Sequence, residues 1–237
     1  MSSEKRKRPG GEMATRPLHF IFLCDVSGSM SVNGKIQALN TAIREAIPHM
    51  KKVADENPNA HVLVRVIKFS DGAQWHILNE TPVENFKWHD LGTSGLTDMG
   101  KAFSMVADQL KIPPMTDRAL PPVLALLSDG YPTDDWKGGL KKLMDLPWGK
   151  KAVRVAIAIG READMNVLQE FIGNPEIKPL LANNADQLVR YIKWVSTAVL
   201  KSASAPASQA GSPSGGNVPV PPPPDDSDEP SSAGDVW

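Results

Sequence analysis

The sequence predicts a doubly wound α/β domain with a mostly parallel central sheet, one antiparallel edge strand and helices on both faces. Near-continuous apolar runs at residues 18–23, 123–127 and 153–159 read as strands buried on two faces, as parallel sheets require. Between them recur apolar positions at helical spacing, the pattern of crossover connections. The chain of 237 residues with 41% hydrophobic content has enough material for one substantial core.

The elements follow in order. Residues 1–16 are polar and basic and read as a disordered arm, with the first strand starting just after Pro17. From Lys35 onward Ile36, Leu39, Ile43, Ile47, Met50 and Val53 form one stripe of a long helix that Pro48 is expected to kink. Residues 61–69 form the next strand, and residues 74–78 a short strand hairpinned to it. Helical patterns cover residues 99–110, 136–144, 165–171 and 185–200. The folded domain is therefore assigned to residues 17–201. Residues 202–237 turn to Ser, Ala, Pro and Gly and then to Asp225, Asp226, Asp228 and Glu229, a composition that builds no core and reads as a disordered acidic tail. Its proline run reads as a polyproline II spacer, with docking in an aromatic-lined groove as the alternative. Trp237 is either a short recognition motif or a chance residue.

Bulk properties exclude several classes. A formal net charge of -1 asks for neither nucleic acid nor an anionic membrane as partner. Lys5, Arg6, Lys7 and Arg8 form a run short enough to read as a solvated arm rather than a nucleic-acid patch. The single cysteine, Cys24, excludes an internal disulfide and reads as a small strand hydrophobe in a reducing compartment. No apolar run spans a bilayer, and no signal core follows the basic start, so a cytoplasmic protein is expected.

The chemistry concentrates where the first strand ends. Asp25, Ser27 and Ser29 alternate along a sharp turn, so their oxygens converge while Gly28 allows close backbone approach. Two further loops fall at strand or helix ends on the same rim, where open doubly wound sheets bind ligands. One carries Thr97 just before a helix, and the other carries Asp129 just after a strand. Five hard oxygen donors suit Mg²⁺, with Ca²⁺ or Mn²⁺ as alternatives, and leave sulfur-seeking metals unserved.

Asp-x-Ser-x-Ser at Asp25 to Ser29, a later Thr97 at a helix start and a strand-terminal Asp129-Gly130 together resemble the metal-ion-dependent adhesion site of the von Willebrand factor A family. The resemblance runs from Pro17 to Leu200 and implies that family's Rossmann-like fold. It implies that Ser27, Ser29 and Thr97 touch Mg²⁺ directly while Asp25 and Asp129 act largely through water. An Asp or Glu of a partner protein would complete the shell. Tyr131 to Asp134, Ile157 to Gly160 and Tyr191 to Ser196 resemble the bacterial TerY-like branch. That kinship implies an adaptor in a stress or defence system alongside a Ser/Thr kinase and a protein phosphatase.

Neighbouring residues have plainer readings. Asp98 is expected to face solvent in a first helical turn, and Asp134 and Asp135 to cap the helix entered at Trp136. Thr93 and Ser94 would replace Thr97 under a different loop register. The histidines show no paired metal-ligand spacing. Two alternatives to the binding module stand beside it. A Mg²⁺-dependent phosphatase-like enzyme of the haloacid dehalogenase type needs a second acid two residues beyond Asp25, where Ser27 stands, and no phosphate loop or nucleophile elbow is present. An RNA-associated scaffold would use the basic arm, without an aromatic platform in the folded part. A non-catalytic protein is expected.

Overall fold

Strand order, rather than any single element, creates the site. In the computed structural model, which describes residues 15–57, 60–204, 218–224 and 237, six strands lie in the order β3-β2-β1-β4-β5-β6. They are β1 (Arg16–Asp25), β2 (Ala60–Ser70), β3 (Gly72–Pro82), β4 (Val123–Ser128), β5 (Val153–Ile159) and β6 (Leu180–Ala182). All neighbouring pairs are parallel except β2 with β3, which closes one edge as an antiparallel hairpin. The winding reverses between β1 and β4, so the crevice beyond their carboxyl ends is the natural ligand position.

Alternation along β1 divides the core into two layers. Leu18, Phe20, Phe22 and Cys24 face one side, with α1 (Lys35–Asp55), α6 (Ala185–Trp194) and α7 (Leu200–Ser204). Ile21 and Leu23 face the other, with α2 (Met99–Gln109), α3 (Trp136–Asp145), α4 (Pro147–Lys151) and α5 (Met165–Ile172). Cys24 is fully buried, and burial pushes its thiol well above the ordinary range, so it packs as an apolar residue. The stripe from Ile36 to Met50 is buried as expected, and α1 continues through Pro48 to Asp55.

Arg154, the one break in the apolar run of β5, is itself buried. Its guanidinium donates to the carbonyls of Phe171 and Ile172 at 2.7 and 3.2 Å and to that of Gly149 at 2.7 Å. It thus satisfies carbonyls that the ends of α4 and α5 leave open. Gly100 of α2 and Gly139 of α3 are required by close helix packing. A Cβ on Gly139 would fall 2.2 Å from the Gly100 carbonyl oxygen, and one on Gly100 2.5 Å from that of Asp135.

Several expectations are adjusted. β3 is longer than the expected residues 74–78, because its polar, half-exposed residues continue the pairing with β2 to Pro82. Three-residue β6 carries too little pattern to be read from sequence. The last helix passes without a break through a π turn, Val195–Val199, to Ser204, beyond the expected boundary at residue 201. The tail returns to the domain. Val218 and Val220 pack on the α1 and α6 layer, Trp194 Nε1 donates to the Pro222 carbonyl at 3.0 Å, and Ser202 donates to that of Pro219. The basic run Lys5 to Arg8 and the acidic run from Asp225 to Glu229 lie outside the described residues.

Candidate metal centre

Asp25 ends β1, and its carboxylate organises the first loop. Oδ1 accepts the Ser27 backbone N–H at 2.9 Å, and Oδ2 accepts the Ser128 hydroxyl at 2.6 Å. Both oxygens are thus engaged, and the side chain is fully buried. Burial is the largest influence on its pKa, which is pushed up to about 6; the Asp129 charge adds to that, and hydrogen bonds from Ser128 and Ser27 oppose it.

The hydroxyls continue outward. Ser27 Oγ and Ser29 Oγ lie 3.0 Å apart, and Ser29 Oγ donates to Asp129 Oδ1 at 2.7 Å. Thr97 Oγ1 and Ser29 Oγ lie 3.6 and 3.8 Å from the point a Cβ on Gly130 would occupy, so both converge on one side of that glycine. All five expected residues therefore meet at one rim.

Backbone bonds stitch the three loops together. Gly28 N–H donates to the Gly95 carbonyl at 3.0 Å and Ser94 N–H to that of Val26 at 2.8 Å, joining the first loop to the second. The main chain at Ser94 is thereby a structural link, and the Thr97 hydroxyl is the one that reaches the Gly130 side of the site together with Ser29. Thr97 and Thr133 join the second loop to the third: Thr133 N–H donates to the Thr97 carbonyl at 2.9 Å, and Thr97 N–H to the Thr133 hydroxyl at 3.0 Å. Gly95 has φ +74, which favours glycine, and a Cβ there would displace the Asp71 carboxylate, 2.2 Å away. That carboxylate holds Leu96 N–H at 3.0 Å.

Three acidic neighbours are settled by their partners. Asp98 does not face solvent as expected; it is buried and accepts from Lys101 Nζ at 2.6 Å and Gly72 N–H at 2.8 Å. The Lys101 ammonium holds its carboxyl below the usual range, and the Gly72 and Thr133 bonds reinforce the effect. Asp135 caps α3 as expected, accepting from Gly138 N–H at 3.0 Å. Asp134 instead caps α2, accepting from the Gly100 and Lys101 amides at 2.8 and 2.9 Å, because loop packing brings it to that helix start.

Sequence reasoning missed Lys35. Its side chain is buried, and Nζ donates to Asp129 Oδ2 at 2.8 Å. A basic residue in a first helical turn runs against the helix dipole, and that contradiction was the available signal. With Lys35 counted, two carboxylates and one ammonium leave the site a single net negative charge.

The donor set fits a hard divalent ion. Among the described residues no three His, Cys, Asp or Glu side chains cluster in metal-binding fashion. The donors are instead two carboxylates and three hydroxyls. Oxygen donors of this kind suit hard divalent ions and leave sulfur-seeking metals unserved. The Ser27 to Ser29 and Ser29 to Asp129 spacings of 3.0 and 2.7 Å are those of the hydrogen bonds that hold these oxygens together.

No protein-family model matches the sequence, and no curated relative matches it either. Solved structures do. The von Willebrand factor type A protein from Catenulispora acidiphila superposes with a TM-score of 0.59 at 15% identity over 78% of this chain and 43% of that one. Proximal thread matrix protein 1 from the mussel byssus, with a zinc-occupied MIDAS motif, gives 0.57 at 16% identity over 77% and 48%. The pilus adhesin SpaC from Lactobacillus rhamnosus GG gives 0.63 at 14% identity over 81% and 31%. The fold is that of the von Willebrand factor A domain. This chain spans less than half the length of each of these structures.

Proposed function

We propose that the chain is a metal-dependent protein-binding adaptor whose rim presents a divalent cation, Mg²⁺ in the first instance, to a carboxylate of a partner protein. Ser27, Ser29 and Thr97 would hold the ion directly, and Asp25 and Asp129 would fix those hydroxyls and balance the charge. When bound, the cation supplies an electrophilic position that an outside Asp or Glu fills.

One observation carries the protein-binding part. Val32, Leu96 and Tyr131 are large apolar side chains exposed by 52%, 58% and 64%, and each belongs to a different one of the three loops. Exposed apolar groups around a polar centre are the mark of a docking surface. The mussel protein's zinc-occupied motif and the adhesin's shared fold support this reading.

Catalysis has no comparable support. Ser27 stands where a phosphotransferase of this strand-end type needs its second acid. We place the adaptor in a bacterial stress or defence system with a Ser/Thr kinase and a protein phosphatase, on the resemblance of Tyr131 to Asp134 and Tyr191 to Ser196 to the TerY-like branch. A cytoplasmic site belongs to the same proposal; no helix among the described residues is long and apolar enough to cross a membrane.

The test is affinity capture of each co-expressed candidate partner in magnesium and in chelator, with Asp25→Ala as control. Capture lost in chelator and in the variant, with an unchanged circular dichroism spectrum, is expected. Capture indifferent to metal overturns the reading.

A further inference from the structure

Trp237 is seated on the same rim. Its backbone N–H donates to the Asn183 carbonyl at 2.9 Å, and its indole Nε1–H donates to the Asn33 carbonyl at 2.9 Å. Both of its N–H donors are therefore satisfied by main-chain acceptors from separate loops. Asn33 follows the metal-loop serines and, with φ 53, is the one non-glycine residue among the described residues held in the left-handed region. Asn183 follows β6.

The indole forms one wall of a cavity of about 650 Å³ between α1 and α6, lined also by Gln37, Ala38 and Thr41 of α1 and by Ala185 and Val189 of α6. Gly160, just after β5 with φ +81, lies against Trp237: a Cβ there would stand 3.4 Å from Trp237 Cβ and 3.4 Å from Lys35 Cε. A glycine at this point lets Trp237 approach the lysine that holds Asp129.

We propose that the seat made by the Asn33 and Asn183 carbonyls at the edge of this cavity is a docking site for a tryptophan-bearing peptide segment and that its occupant is the chain's own Trp237, held in cis beside the metal loops. Tryptophan suits the seat because it buries a large apolar body while spending its polar N–H on a fixed acceptor. Pro222 is anchored separately at Trp194, on the same helix. Two linked contacts on one surface place the local concentration of the second in about the millimolar range, so even a weak seat stays filled. A partner protein that covers Val32 and Asn33 then competes with the tail for this side of the rim.

The experiment uses the full chain, wild type and Trp237→Ala, with a fluorescently labelled synthetic peptide of residues 225–237 and a second peptide carrying alanine at 237. Binding is read by anisotropy in magnesium and in chelator, so that its outcome is independent of the metal reading. The expected result is that the tryptophan peptide binds the variant at least tenfold more tightly than the wild type, and that the alanine peptide binds neither. Hydrogen exchange at residues 33–41 and 183–189 should rise in the variant and fall again when the tryptophan peptide is added. Equal binding to both proteins, or none to the variant, overturns the proposal. A wild-type dimer that Trp237→Ala converts to monomer in sedimentation would assign the seat to a second copy's tail and overturn the cis assignment.

Discussion

Lys35 Nζ lies 2.8 Å from Asp129 Oδ2, with both side chains out of solvent. The pair joins the first turn of α1 to the third metal loop. It puts a built-in cation on one oxygen of a carboxylate whose other oxygen accepts from Ser29. An incoming divalent ion must share Asp129 with an ammonium it repels.

Lys35→Met therefore separates two effects. Breaking a buried ion pair by removing one partner costs about 3–5 kcal/mol, because the remaining charge is left uncompensated. In chelator the variant should melt well below the wild type. In millimolar magnesium most of that loss should return, and calorimetric titration should show magnesium binding at least tenfold more tightly than to wild type. Tighter melting in chelator, or unchanged metal affinity, would contradict the charge argument.

Much of this was legible in the sequence, for identifiable reasons. Strands buried on both faces leave unbroken apolar runs, so β5 was read to its observed bounds and β4 to within one residue, while β1 runs two residues beyond its apolar stretch at each end. Asp25, Ser27 and Ser29 are close in sequence, and Thr97 and Asp129 mark a helix start and a strand end, so their convergence followed from topology. Lys35 was not legible, because its role depends on a contact 94 positions away in the chain. Asp98 and Asp134 were misjudged because each also accepts from an amide distant in sequence, Gly72 for Asp98 and the start of α2 for Asp134, which local pattern does not report. Trp237 and Pro222 bind main-chain or indole groups far from themselves, which composition does not encode.

Asp25 gives the protein a pH signature. Its carboxyl titrates near 6 when folded, above an ordinary aspartate, so between about pH 4 and 6 the folded state binds more protons than the unfolded one. Stability of the metal-free protein should therefore fall as pH rises through that window. The gap corresponds to roughly 3 kcal/mol. His19, buried and held below its ordinary value chiefly by desolvation, has the opposite slope below pH 6.5. Comparing Asp25→Asn with wild type by urea denaturation at pH 4, 5, 6 and 7 in chelator isolates the Asp25 part. The variant should gain stability relative to wild type as pH rises, and a constant difference would refute the assignment.

Gly100→Ala tests whether helix packing supports the site. The new methyl would stand 2.5 Å from the Asp135 carbonyl oxygen, so α2 and α3 must separate. Overpacking of this kind costs about 1–3 kcal/mol. Because Asp134 holds the Gly100 and Lys101 amides, the shift should be felt at Thr97, one turn upstream. A lower melting temperature together with weaker magnesium binding is expected. A stability loss with unaltered metal affinity would mean that the second loop is positioned by its hydrogen bonds to the neighbouring loops and not by the packing of α2 on α3.

The apolar rim should separate metal affinity from partner affinity. Leu96 and Tyr131 flank Thr97 and Asp129 in sequence, yet their side chains point into solvent and carry none of the hydrogen bonds that shape the centre. Replacing both with serine should leave magnesium affinity within about twofold of wild type. Capture of a metal-dependent partner should weaken by tenfold or more, since a fully buried side chain of this size contributes about 1.5–3 kcal/mol at an interface. Removing Thr97 as Thr97→Ala should do the reverse in order, weakening the metal first and the partner only through it. Magnesium titration of both variants, followed by capture at saturating magnesium, tells them apart: partner binding by Thr97→Ala recovers with added metal, whereas binding by the Leu96→Ser and Tyr131→Ser double variant does not. Recovery of the rim variant would move recognition wholly onto the cation.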